Sequence, residues 1–229
     1  MTAHTSNYLD VVSHLPAGGT LVLTDVPWEE YEMLLADLGE GYSVRMNYDQ
    51  GRLEIMSPSS KHEKYKELIL RLADIAADEM DCDLESFGST TFKEESFAKG
   101  AEPDTCFYVQ HAVRVAGKEL LDLKTDPPPD IVVEVDVAHS SSGKFPIYAA
   151  LGVPEIWRYD EQRLQIYHLE EQDYVEAAAS RAFPALTGDV LSGFLNQSKT
   201  QRQRAVLKAF REWLRSKDTT GSNRSGSDH

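Results

Sequence analysis

Asp130-Ile131-Val132-Val133-Glu134-Val135-Asp136-Val137 is the stretch whose reading decides the fold. Successive side chains of a strand point to opposite faces. One face, Ile131, Val133, Val135 and Val137, is wholly apolar and belongs against a core. The other carries Asp130, Val132, Glu134 and Asp136. Carboxylates that share one side of so apolar a strand repel each other unless a cation, a proton or basic groups compensate. One reading is that this face meets solvent, as on many antiparallel sheets. The other is that it lines a site. A second acid-bearing strand start, Glu102-Pro103-Asp104, favours the site. Two strands can supply oxygens to one hard cation such as Mg²⁺ or Mn²⁺.

Upstream, a short strand is expected at Leu21–Leu23. A helix follows over Pro27–Leu38, with Pro27 near its first turn and Gly39 just past its end. Tyr42–Tyr48 and Arg52–Met56 read as a hairpin around Asp49-Gln50-Gly51. Ser60 and Glu63 fit a capping box for a helix running to about Met80. Its apolar stripe is Tyr65, Leu68, Ile69, Leu72, Ile75 and Ala76. Strands are expected at Leu84–Phe92 and Asp104–Val109. Downstream of the acidic strand come a short helix over Phe145–Leu151 and a second hairpin, Glu155–Tyr159 with Leu164–Leu169. A closing helix spans Thr200–Arg215, with a stripe of Val206, Leu207, Phe210, Trp213 and Leu214. This order implies an α/β (α+β) protein, one mixed sheet covered by helices.

Of the 229 residues, 41% are hydrophobic and 27% charged, so a buried core is expected. Nothing approaches the ~18 consecutive apolar residues of a membrane span. Met1–Leu9 has no secretory pattern. Cys82 and Cys106 form no metal-binding spacing, and free thiols suit a reducing cytoplasm. The net charge of −15 is uneven: residues 196–229 carry +5 and the rest −20. An acidic body argues against broad nonspecific nucleic-acid binding, which rests on phosphate neutralisation. No nucleophile elbow surrounds Ser140–Ser142, and neither a P-loop nor a dinucleotide fingerprint is present. The seven histidines show no HExxH or paired spacing, so a zinc hydrolase is not indicated.

Glu102-Pro103-Asp104, Pro129–Val135 and Gly152-Val153-Pro154-Glu155-Ile156-Trp157 occur in an order and spacing that resembles the Uma-two (Uma2) family. Its members are restriction endonuclease-like proteins of the PD-(D/E)xK nuclease superfamily. The likeness spans roughly Gly41 to Leu169, and its Gly-Val-Pro-Glu-x-Trp element is its most specific part. The resemblance implies a mixed β-sheet core flanked by helices, with an N-terminal hairpin and a C-terminal helix. It implies metal-dependent hydrolysis of DNA phosphodiester bonds, with Asp104 and Glu134 holding Mg²⁺ or Mn²⁺. The alternative is a catalytically impaired nuclease fold that serves as a binding or regulatory module, since fold alone does not settle function.

One position departs from the pattern. Where the superfamily has lysine after the acid of the (D/E)xK element, this chain has Asp136. Asp136 could act as a third metal oxygen. Lys144 and Lys93 are the candidates for a relocated lysine, and Lys144 is preferred because a helix-start side chain can fold back over its own strand. A surface lysine is the competing reading of Lys144. His62, on the border of the first long helix's apolar stripe, is the accessory candidate; Glu63 and Glu67 lie off that face. His139 is either a proton carrier or a loop residue. The expected organisation is an extension over 1–40, an endonuclease-like domain over 41–195, a basic helix over 196–218 and a disordered tail over 219–229. A homodimer is the expected assembly, because endonucleases that cut both strands are often dimers.

Overall fold

The computed structural model describes residues 3–39, 44–137 and 140–222, with side chains for 8–39, 44–137 and 140–217. In chain order the elements are α1 (Ala3–Ser13), β1 (Thr20–Leu23), α2 (Trp28–Leu38), β2 (Arg45–Asp49), β3 (Arg52–Met56) and α3 (Ser60–Met80). β4 (Glu85–Ser86), β5 (Phe92–Glu94), β6 (Lys99–Ala101), β7 (Thr105–Tyr108), α4 (Ala112–Val115) and β8 (Ile131–Val135) follow. After β8 come a 3-10 turn (Ser141–Lys144), α5 (Phe145–Ala150), β9 (Glu155–Tyr159), β10 (Leu164–Glu170), β11 (Asp173–Ala177), α6 (Gly188–Gln197) and α7 (Gln203–Ser222).

The fold is the expected mixture of sheet and flanking helices, but the strands form two sheets rather than one. The first has the order β1-β3-β2-β6-β5 and is antiparallel throughout. The second has the order β11-β10-β9-β8-β7-β4, and its one parallel pair is β8 with β9. The chain leaves the first sheet and joins the second at Glu102-Pro103-Asp104, between β6 and β7. Proline has no N–H to give a ladder, so the change of sheet falls where pairing is already interrupted.

β8 is central, and every one of its five residues is buried. The solvent-facing reading of its acidic face is thereby excluded. Ile131, Val133 and Val135 pack against Leu68, Leu72 and Ala76 of α3 in the larger core, while Val132 joins Ile147, Tyr148 and Ile156 on the other side. The α3 stripe is buried as its spacing predicts. Its cap is shifted by one residue: Ser59 Oγ accepts from the His62 N–H at 3.3 Å. Glu63 therefore closes no box with Ser60 and pairs with Lys66 instead. The β2–β3 turn holds Gln50 and Gly51 at φ 48° and 94°, the paired positive values of a tight hairpin.

Other boundaries differ from expectation. The strand expected at Leu84–Phe92 survives as Glu85–Ser86, and α1, β11 and α6 lie in segments with no such expectation. Residues 42–43 of the first hairpin lie outside the described residues. α7 continues to Ser222, into the segment expected to be disordered; 223–229 lie outside the described residues. Among the described residues no helix is long and apolar enough to cross a membrane.

α7 docks on α3 and α6. Val206, Phe210 and Leu214 are buried, and the Phe210 ring meets Phe194 and stacks on Trp213. On the flank, Arg211 pairs with Asp78 and Glu79, and Arg215 with Glu79, all of α3. Arg211 and Arg215 of the basic helix thus complement the acidic body. Phe210→Ala should lower stability by about 3–5 kcal/mol, the range for a buried phenylalanine. Chemical denaturation checks this; a loss below ~1 kcal/mol would mean that α7 is not part of the cooperative core.

Candidate active site

Register puts the two key acids side by side. β7 runs antiparallel to β8 with Thr105 opposite Val133, so the residue before Thr105 falls beside Glu134. That residue is Asp104. Its Oδ2 accepts from the Val135 N–H at 2.7 Å, taking the place of a ladder carbonyl. Its carboxylate is 1% exposed and that of Glu134 is 2% exposed. Two adjacent carboxylates at that depth need compensation.

Lys144 supplies it. The 3-10 turn ahead of α5 brings its side chain back over β8, and the ammonium is itself buried. Nζ lies 2.8 and 3.1 Å from the two oxygens of Glu134 and 3.3 Å from the Glu102 carbonyl oxygen. Tyr148, one helical turn on from Lys144, donates its hydroxyl to Glu134 Oε1. His62 reaches in from α3, with Nε2 2.9 Å from Asp104 Oδ2. Glu102 braces the site from the first sheet: its carboxylate accepts from the Met46 N–H at 3.1 Å and the Thr91 hydroxyl at 2.7 Å.

The structure therefore gathers Asp104, Glu134, Lys144 and His62. It sets Asp136 apart. Its Oδ2 accepts from Arg158 Nε at 2.6 Å and its Oδ1 from the Ser141 N–H at 3.0 Å. Asp136 as a third metal oxygen is a correction: its carboxylate is already neutralised by Arg158, on the neighbouring strand. Lys93 is also excluded as the relocated lysine, because it pairs with Glu32 of α2 at 2.6 Å. His139 lies outside the described residues. Tyr148 and the Glu102 brace went unread in the sequence. The spacing of four from Lys144 to Tyr148 was the signal available for the first.

The charges follow from burial and partners. Burial would raise the Asp104 carboxyl, but the His62 hydrogen bond and the Lys144 charge outweigh it and hold it below the ordinary range. Glu134 goes the other way: full burial pushes it up to about 7 against the Lys144 ammonium, with Asp104 adding repulsion. Burial would lower Lys144, yet the Glu134 and Asp104 carboxylates win and hold it up. Burial and Glu134 keep Tyr148 protonated far above its ordinary range, so it stays a donor.

Among the described residues no group of three or more His, Cys, Asp or Glu side chains is arranged to enclose a metal ion. Two carboxylates nonetheless suit Mg²⁺ or Mn²⁺, since Mg²⁺ is commonly held through one or two carboxylates, with water and substrate phosphates completing the shell. Asp104 Oδ1 is buried with no hydrogen-bond partner, the atom such a cation would satisfy. Beside Lys144 opens a cleft of about 290 Å³ lined by Asn47, Asp49, Arg52, Glu54, Ser140, Gly143 and Ile147.

The raised Glu134 carboxyl sets a pH dependence. Its folded value near 7 lies above the ordinary 4.5, so between these values the folded state binds more protons than the unfolded one. Stability without added metal should fall as pH rises through that window, by at most about 1.4 kcal/mol per pH unit. Glu134→Gln should flatten the slope, leaving the part due to the Glu102 carboxyl, which burial also raises. Melting curves across the window, in a chelator, test this; equal slopes for the two proteins would refute the shift.

Comparison with curated proteins gives no match. Among solved structures, the chain resembles one described as "a putative nuclease belonging to DUF820" from Anabaena variabilis. The TM-score is 0.50 at 16% identity, over 74% of this chain and 99% of that one, a likeness of fold. The family model Uma2, described as "Putative restriction endonuclease", matches residues 28–198, and with most of its length so matched the chain belongs to the Uma2 family.

Proposed function

We propose that this protein is a Mg²⁺- or Mn²⁺-dependent endonuclease that hydrolyses phosphodiester bonds of DNA, working in a reducing cytoplasm. The observation that carries the reading is Lys144 on Glu134 beside Asp104 with its free oxygen. The chain lacks a lysine at the strand position, and the side chain of Lys144 restores that charge from the next element. This weighs against the impaired-module alternative.

Asp104 and Glu134 would hold the cation. When bound, it supplies Lewis acidity toward the phosphoryl group and makes water more acidic. His62 fixes the Asp104 carboxylate in one orientation, and Tyr148 does the same for Glu134. Lys144 would balance the negative charge that builds up in the site. Burial of the group keeps bulk water from screening these charges.

Negatively supercoiled plasmid, whose torsion opens short unpaired stretches, gives the direct test with Mn²⁺. The wild type should nick it, and a chelator should stop the reaction. Mn²⁺ should also stabilise the fold by mass action, by about 2.7 kcal/mol at a hundredfold excess over its dissociation constant, and so raise the melting temperature. Asp104→Asn and Glu134→Gln should each shrink that shift, whereas Lys144→Gln should cut nicking about a hundredfold with a smaller effect on the shift. A shift that is unchanged in both carboxylate variants removes those residues as ligands.

A further inference from the structure

The substrate can be narrowed, on the reading of Asp104, Glu134 and Lys144 as a nuclease site. None of the three is more than 6% exposed, so a phosphodiester must enter the body of the protein to meet them. The cleft beside Lys144 has the β2–β3 hairpin as one wall, with Asn47, Asp49, Arg52 and Glu54. Ser140 and Gly143, at the 3-10 turn, form the other. Its volume, about 290 Å³, is at the low end of the ~300–1,000 Å³ typical of small-molecule pockets. A duplex is far larger; its major groove alone is about 12 Å wide.

Charge points the same way. Duplex affinity grows with the number of phosphates neutralised. Here Arg52 pairs with Glu54, Asp49 with Lys99, and Lys144 with Glu134. The walls offer no surplus of positive charge for a second strand. Arg211 and Arg215 are held by α3, and the formal net charge is −15.

We infer that the substrate is an unpaired nucleic-acid strand that enters this cleft, rather than intact duplex. A single strand can bend a sugar-phosphate unit inward, whereas a duplex must first unstack and unpair, at a cost of a few kcal/mol. Gly143 is a natural gate for the test. A Cβ built there meets nothing within 4 Å, and its φ is not positive, so a side chain can be added without backbone strain.

Three DNA oligonucleotides of one sequence, given to the full chain with Mn²⁺, decide it: a single strand, a blunt duplex and a duplex with an unpaired overhang. The single strand and the overhang should be cut at least about tenfold faster than the duplex, ~1.4 kcal/mol. Equal or faster cutting of the blunt duplex overturns the inference and leaves the nuclease reading intact. Fluorescence anisotropy on Glu134→Gln separates substrate choice from chemistry. This variant should bind the single strand more tightly than the duplex, and adding Gly143→Phe should abolish that preference with the melting temperature unchanged. A preference for duplex overturns the inference. If no oligonucleotide is cut while the single-strand preference persists, only the nuclease reading falls.

Discussion

The buried pair between Lys144 and Glu134 is the constraint on which the rest of the structure depends. Removing one partner of such a pair costs about 3–5 kcal/mol, because the other charge is left in a medium that cannot solvate it. The ammonium can make three hydrogen bonds, and Glu134 Oε1, Glu134 Oε2 and the Glu102 carbonyl take them. Those acceptors come from the centre of the second sheet and from the crossover out of the first. The pair thus fixes the start of α5 against both sheets. The Glu102 carboxylate, bonded to Met46 and Thr91, carries the same constraint across to β2 and the start of β5.

Those demands explain why some of the molecule was legible in the sequence and some was not. Strand β8 and helix α3 declare themselves through periodic apolar residues, because burial on one face leaves a period that survives any context. Asp104 and Glu134 could be named because acids beside apolar strands are costly and therefore informative. The short strands β4, β5 and β6 carry no such period. They exist because neighbours offer ladder partners, which a local reading cannot see. Helix α6 contains Gly188, Ser192, Gly193 and Asn196, all weak helix formers. It is held by the Thr187 cap and by Leu191 and Leu195 in the core. The division into two sheets was equally hidden, since both contribute apolar strands and only Pro103 hints at the break.

Electrostatics on the larger scale follows from the same acidic excess. Asp78 and Glu79, at the end of α3, meet Arg211 and Arg215 of α7. Glu79 is held below the ordinary carboxyl range by the Arg215 hydrogen bond. Two arginines of the basic helix thus act as a counterweight to the acidic end of α3. Charges spent in this way are not available to track a phosphate backbone, which limits how much of the chain's basicity can serve substrate binding.

Asp136 and Lys144 are linked through the turn that lies between them. Lysine two positions after Glu134 would project from the same face of the same strand, toward the neighbouring β9. Arg158 of β9 is paired in register with Glu134 and stands over that position. A lysine there would face a guanidinium, whereas Asp136 neutralises it and accepts from the Ser141 N–H as well. That second bond anchors the first residue of the turn that ends in Lys144. The aspartate in the lysine's place thus helps to hold the turn that delivers the lysine from elsewhere. Glu134 receives its positive charge from the turn after β8 rather than from the strand itself.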